Sequence, residues 1–289
     1  MNRLFCLLFG LLLPLTGLAE ITLTDDTGQD ITLDEPAQRV ITLVPHATEL
    51  MFEIGAGDRI IATVDYSDYP KAARDIQRIG DYNALNQEAI IDLKPDLLIA
   101  FTSGPAMKDV EQLKRMGLTV FHSDPQTFTT IADALRDFGR LTGLDESAND
   151  AATTFETAIG ELGSRYGDRE TLSVFYEVWH DPIYTLNGES FISDIIDLCG
   201  GRNVFADLPV ISPQISLEAV FEQDPQVIVT GPVGNEAESP WTEWPQLQAV
   251  NNNALVTVDP DTMHRPTPSL LIGAGQLCRD LDRLRSEVY

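Results

Sequence analysis

Cations are scarce in this sequence. There are 19 Lys and Arg against 45 Asp and Glu, a formal net charge of −26. A field of that sign repels phosphate backbones, which argues against nucleic acid as a partner. It also repels anionic ligands, unless a site carries its own local cation. Histidine is scarce too: His46, His122, His180 and His264 are scattered without metal-ligand spacing, so no metal site is expected. Enzyme signatures are incomplete. Gly55-x-Gly57 and Gly273-x-Gly275 lack the third glycine of a dinucleotide fingerprint, and Gly188-Glu189-Ser190-Phe191 lacks the second glycine of a nucleophile elbow. There is no phosphate loop and no H-E-x-x-H. A hydrolase built from scattered His and Asp is left as a distant alternative, and the expectation is a protein without covalent chemistry or cofactor.

Long apolar runs are absent after the start of the chain. M-N-R precedes an apolar stretch from Leu4 to Leu15, followed by T-G-L-A-E. A basic start, a short apolar core and the small residues Gly17 and Ala19 make the pattern of a secretory signal peptide. The stretch is shorter than the roughly 20 residues of a membrane span. Cleavage is expected after Ala19, giving a signal peptide over 1–19 and a mature chain over 20–289. Cys6 does not lie at a cleavage site and is not read as a lipid anchor. The expected product is a soluble, exported monomer without membrane insertion, most simply in a bacterial periplasm. Cys199 and Cys278 remain after cleavage. In an oxidising compartment their expected state is a disulfide, against the alternative of two buried thiols.

What is present is a repeat. Asn86 to Phe101 reads N-Q-E-A-I-I-D-L-K-P-D-L-L-I-A-F, and Ser216 to Gly231 reads S-L-E-A-V-F-E-Q-D-P-Q-V-I-V-T-G, in register without a gap. Each copy carries a capping residue, a Glu at the second helical position, a short apolar helix, a Pro that stops it and an apolar strand. One α-β unit used twice suggests two similar lobes. Around the first copy, strands are expected over Val40–Val44, Arg59–Val64 and Thr119–His122, with helices over Ala47–Ile54, Met107–Met116 and Phe128–Leu141. Ile21–Leu33 reads as a hairpin turning at Asp25–Gly28. Around the second copy come a strand over Leu172–Val178, a helix over Ser190–Leu198, a turn at Gly200–Gly201, a strand over Leu255–Val258 and a closing helix from Ser269. Alternating strands and helices mean parallel sheets covered on both faces.

Asp145 to Tyr166 breaks that rhythm. Ala151, Phe155, Ala158, Ile159, Leu162 and Tyr166 share one helical stripe, with Asp145 or Ser147 available as cap and Gly167 as stop. The fold class is therefore α/β: two doubly wound lobes, 20–144 and 169–289, joined by a long helix at 145–168, with a ligand cleft between them. Ligands of open α/β sheets sit beyond the carboxyl ends of the strands. Tyr66, Tyr82 and Phe101 follow strands of the first lobe, and Trp179, His180, Tyr184, Met263, His264 and Arg265 follow strands of the second. Flat side chains with few charges suit a large, rigid, partly apolar ligand.

V-I-T-L-V-P-H-A-T-E-L, Y-S-D-Y-P at Tyr66–Pro70, N-x-E-x-I-x-x-L-K-P-D-L, C-G-G at Cys199–Gly201 and Q-L-C at Gln276–Cys278 resemble the periplasmic cobalamin-binding proteins of ABC importers, over nearly all the mature chain. The repeat marks a wider class that also takes haem and ferric siderophores, and these are the alternative ligands. The resemblance implies two α/β lobes on one long helix, and Tyr66, Tyr82 and Phe101 facing a corrin ring from the first lobe. It implies Tyr184, Asp261 and Arg265 facing the ring from the second, with Trp179 an alternative to Tyr184. Tyr82, Phe101 and Ser212 stand where the family pattern has tryptophans. It also implies an inner-membrane ABC permease as partner, met by Glu88 on one lobe and Glu218 on the other.

Overall fold

The computed structural model describes residues 20–232 and 239–289, and the expected signal peptide lies outside them. The described residues open with a hairpin, β1 (Ile21–Thr24) against β2 (Asp30–Leu33). Its turn is held by Asp25, whose Oδ1 accepts from the N–H of Thr27 and Gln29 at 2.9 and 3.0 Å. The first lobe continues as β3 (Val40–Thr42), α1 (Pro45–Glu53), β4 (Ile60–Thr63), α2 (Gln87–Asp92), β5 (Leu97–Ala100), α3 (Met107–Arg115), β6 (Val120–His122) and α4 (Phe128–Thr142). The linking helix α5 spans Asp145–Tyr166. The second lobe is β7 (Leu172–Glu177), α6 (Phe191–Leu198), β8 (Gly201–Asn203), α7 (Leu217–Gln223), β9 (Val227–Thr230), α8 (Gln248–Asn251), β10 (Leu255–Thr257), α9 (Pro260–Met263) and α10 (Leu270–Glu287).

Apart from the antiparallel hairpin there are two four-stranded sheets among the described residues, both wholly parallel, and their orders correspond: β4-β3-β5-β6 in the first lobe, β8-β7-β9-β10 in the second. In each of these two sheets the strand first in sequence, β3 or β7, is interior and the second, β4 or β8, lies at the edge. The two copies of the repeat occupy equivalent places as α2-β5 and α7-β9. Asn86 Oδ1 and Ser216 Oγ cap them by accepting from the N–H of Ala89 and Ala219.

Successive strand residues point to opposite faces, and the core follows that alternation. Val40, Leu97 and Ile99 of the first sheet join Val174, Tyr176, Val227 and Val229 of the second in one cluster, which also takes in Leu135 of α4, Phe155 of α5, Ile196 of α6 and Leu277 of α10. Ile41, Leu98 and Ala100 face a separate cluster under α2 and α3. Phe175 and Ile228 face a third, around Trp241. The linking helix is thus part of a core shared by both lobes. At 1.5 Å per residue its length is about 33 Å. Helices α4 and α5 pack so closely that a Cβ on Gly139 would lie 2.3 Å from that of Ala148.

Two local features differ from the sequence reading. Gly200 makes the expected turn at φ +70°, but Gly201 already belongs to β8. That strand is three residues long with exposed Arg202 at its centre, so no apolar pattern announces it. The linking helix is not capped by Asp145 or Ser147. Leu144 holds the cap position, because left-handed Gly143 closes α4 and these two residues are all that separate the helices. Asp145 and Glu146 lie in the first turn, where the helix dipole favours them.

Candidate functional site

An open cavity of about 410 Å³ lies at the carboxyl ends of the first sheet, lined also by residues of the second lobe. Its volume falls in the range of small-molecule pockets. The first lobe contributes Leu43–His46 after β3, Val64–Tyr66 after β4, Tyr82, Phe101 and Ser103 after β5, and Asp124–Gln126 after β6. The second lobe contributes Phe191 at the start of α6 and His264, Arg265 and Pro266 beyond α9.

The aromatics are set by their loops. Tyr82 is 63% exposed and rests on Gly104, where an added Cβ would approach the ring to 2.7 Å. The φ of Gly104 is +106°, which also favours glycine. The Tyr82 loop is pinned at both ends. Asp81 Oδ1 accepts from the N–H of Asn83 and Ala84, and Asp109 Oδ2 accepts from that of Leu85 at 2.9 Å. Phe101 stands edge-on to His46, with ring centroids 6.2 Å apart. His46 is buried with Nε2 3.3 Å from Ser123 Oγ, and burial pushes its pKa down to about 4. The imidazole is therefore neutral at pH 7, and the carboxylates that line the first-lobe side of the cavity are those of Asp65 and Asp124.

The opposite wall holds the cation. Arg265 Nη2 donates to Asp261 Oδ1 at 2.8 Å; the guanidinium is largely covered and Asp261 is exposed. His264 bonds Tyr176 Oη at 2.9 Å, and burial lowers the pKa of His264 and raises that of Tyr176. Glu49 of α1 is wholly buried, and neither carboxylate oxygen has a partner at full hydrogen-bond geometry. Burial raises its pKa, opposed by Thr267 and Ser269 nearby and then by Arg265.

The structure thus brings Tyr66, Tyr82, Phe101 and Arg265 to one cavity. Trp179, Tyr184 and Asp261 are not among its lining residues. Trp179 is 64% exposed and donates its indole N–H to Asp181 O. It pairs with Tyr184, which pairs in turn with Gln214, as a ribbon beyond the second sheet. Glu88 and Glu218 are exposed at matching positions of α2 and α7. The Glu218 carboxylate lies below its usual pKa because its own N–H and the Ser216 hydroxyl bond it. Cys199 and Cys278 form the expected disulfide, joining the end of α6 to α10. Among the described residues no group of three or more His, Cys, Asp or Glu is arranged to hold a metal, and no helix is long and apolar enough to cross a membrane. Sequence reasoning did not single out Glu49 or Asp109. Glu49 meets Thr267 and Ser269 only through the fold, and no spacing in the chain signals it.

The sequence pattern described as "Periplasmic binding protein" matches residues 40–262. The Vitamin B12-binding protein of Vibrio cholerae is 35% identical over 244 residues, 84% of this chain and 88% of the relative. That of Yersinia pestis is 33% identical over 255 residues, 88% of this chain and 90% of the relative. Among solved structures, the periplasmic vitamin B12 binding protein BtuF of Vibrio cholerae superposes with a TM-score of 0.80 at 34% identity, over 87% of this chain and 99% of that one. The periplasmic heme-binding protein BhuT superposes with a TM-score of 0.76 at 18% identity, over 86% of this chain and 99% of that one, a likeness of fold alone.

Proposed function

Because the chain belongs to the periplasmic binding protein family, which comprises solute-binding transport proteins and not enzymes, we propose that it captures cobalamin or a related corrinoid and delivers it to an inner-membrane ABC permease. The observation that carries this reading is one-third identity, along most of the chain, to proteins named for vitamin B12. The cavity supports it chemically. Tyr66, Tyr82 and Phe101 offer flat, partly apolar faces to a ring system, and Arg265 offers one cation to a polar substituent. Trp179, Tyr184 and Asp261 reach the ligand in this reading when the second lobe meets it. Lobes over 20–144 and 169–289, the linker at 145–168 and removal of residues 1–19 complete the proposal.

Haem is the second reading, and one observation favours it: His46, a neutral imidazole, lines the cavity. Against it, haem and most ferric siderophores bring carboxylates or negative charge, and Arg265 is the cavity's one cation among its lining residues. The test is the absorption spectrum of mature protein purified after incubation with cyanocobalamin and, separately, with haemin. Retained corrin bands support the corrinoid reading. Retained haem bands with no corrin bands overturn it.

A further inference from the structure

Tyr66 stands at the cleft in an uncomfortable conformation. Its φ is +64°, in the left-handed region that non-glycine residues seldom occupy. It is the third residue of a turn closed by the Ser67 N–H donating to Val64 O at 3.4 Å. Turns that need positive φ at that position ordinarily place Gly or Asn there. The Tyr66 side chain is 73% exposed, so packing of its ring does not hold it in place.

The neighbours of Tyr66 do. Ser67 is wholly buried, and its hydroxyl accepts from Thr63 Oγ1 at 2.9 Å. Thr63 Oγ1 accepts from Thr42 at 2.9 Å and lies 2.8 Å from the hydroxyl of Thr48, which is 2.7 Å from that of Thr42. All four side chains are sealed from solvent. Thr42 and Thr63 are the last residues of β3 and β4, and Thr48 lies on α1, so the chain of hydroxyls roots Ser67 in the sheet. Arg78 Nη2 grips Ser67 from the other side, donating to its carbonyl at 2.9 Å and to Asp68 at 3.0 Å. On the far side of Tyr66, the N–H of Asp65 donates to Gly80 O at 2.9 Å. Tyr66 is the one free link between two fixed anchors.

We propose that the buried hydroxyls of Thr42, Thr48, Thr63 and Ser67 are positioning residues that hold Tyr66 in its left-handed conformation, so that its ring is set for the ligand before the ligand arrives. They determine affinity without touching it. Strain of this kind persists only where the surroundings over-determine it, and a pre-set ring spares ordering at the moment of binding. The choice of ligand rests on the corrinoid reading; the conformational claim does not.

The test compares Thr63→Val, which keeps the shape and removes the hydroxyl, with Thr63→Ser, which keeps the hydroxyl. Two readouts are taken on the mature protein: cyanocobalamin affinity by calorimetry, and the strong intraresidue HN–Hα Overhauser effect that marks positive φ at Tyr66 without ligand. Thr63→Val is expected to lose affinity by about tenfold, the scale of one ordering hydrogen bond, and to lose the positive-φ signature. Thr63→Ser retains both. In a Tyr66→Ala background Thr63→Val is expected to change affinity no further, because the two sites act as one. Full affinity and an intact signature in Thr63→Val overturn the proposal. So does an equal loss in both backgrounds, which is the mark of a general structural role. Should Thr63→Val not fold, Ser67→Ala at the end of the network carries the same comparison. Failure of the wild type to bind cyanocobalamin overturns the corrinoid reading, and the ligand-free signature then decides the positioning claim alone.

Discussion

The two lobes share a strand order and differ in what stands at the strand ends. In the first, β3 and β4 end in Thr42 and Thr63, whose hydroxyls support a turn, and aromatic loops follow. In the second, β7 and β9 end in Glu177 and Thr230. Glu177 is buried and accepts from Thr230 Oγ1 at 3.1 Å and from the Trp241 indole at 2.6 Å, with His180 Nδ1 at 3.1 Å. Trp241 in turn packs edge-on against Phe175 and His180. The second lobe uses its strand ends to lock a tryptophan into its own core. The first uses them to display side chains in the cleft. A repeated fold therefore fixes where a site can be, and the residues at the strand ends decide which lobe furnishes most of it.

That contrast can be tested at several strengths. The largest effect is expected from the disulfide, which the second lobe has and the first lacks. It closes a loop of 79 positions, for which the chain-entropy account gives about 4–5 kcal/mol, often less in practice. Cys278→Ser should lower stability on that scale and quicken amide exchange in α6 and α10 more than in β3 to β6. Uniform quickening would show that the shared core, and not the cross-link, sets the second lobe's stability. Free thiols in unreduced, denatured mature protein would remove the premise.

Next comes the buried imidazole of the first lobe. His46 has a pKa of about 4 in the fold against 6.5 when free, through burial. Between those values the unfolded chain binds the extra proton, so this contribution is complete above about pH 6.5 and is lost as pH falls to 4. At 1.36 kcal/mol per unit the loss is about 3 kcal/mol. Asp137, raised to about 6 by burial, acts in the opposite sense over part of that range. The measurement is therefore a difference: denaturant stability of the wild type minus that of His46→Gln, from pH 7 to 4. The difference should shrink as pH falls, and parallel curves would refute the buried neutral imidazole.

The ligand itself distinguishes the lobes. Tyr82→Ala and Phe101→Ala should each weaken corrinoid binding by about 1–3 kcal/mol, the scale of burying an aromatic face. Trp179→Ala, outside the cavity as it stands, should cost less than either. Calorimetric titration with cyanocobalamin checks the order. A larger loss at Trp179 would mean that the second lobe moves onto the ligand and supplies the main contact.

Much of this architecture is legible in the chain, for physical reasons. The repeat carries cap, Glu, Pro and apolar strand at fixed spacing, and those local rules produce α2-β5 and α7-β9 as read. The linking helix is visible as a single stripe with its observed ends at Asp145 and Tyr166. Strand β8 and the true cap of α5 are not visible, because one lacks an apolar pattern and the other depends on where α4 stops. At the site, Tyr66, Tyr82, Phe101 and Arg265 can be found from their places after strands. The hydroxyl chain from Thr42 to Ser67, the Glu177–Trp241 bond and buried Glu49 cannot. Each joins residues distant in sequence, and isolated Thr or Glu carries no signal until the fold brings its partner near.

The smallest expected effect on binding, and the closest test of symmetry between the lobes, lies at Glu88 and Glu218. Both occupy the second position of a short helix whose cap, Asn86 or Ser216, already bonds the third N–H of the turn. Neither acid is needed to start its helix, and both are exposed. Compensation of the helix dipole would explain each one separately. It would not explain why both copies keep the acid at the same place while Gln87 becomes Leu217 and Ile91 becomes Phe221 beside it. Two separated carboxylates can meet cations on two subunits of a permease and fix orientation through charge-assisted bonds. Glu88→Ala with Glu218→Ala should therefore leave corrinoid affinity unchanged and impair uptake in vesicles carrying the cognate permease, with each single change doing less than the pair. The salt dependence of uptake should weaken in the double variant, because steering between exposed charges is screened. Normal uptake by the double variant, at protein concentrations where docking limits the rate, would leave dipole compensation as the whole role of the two acids.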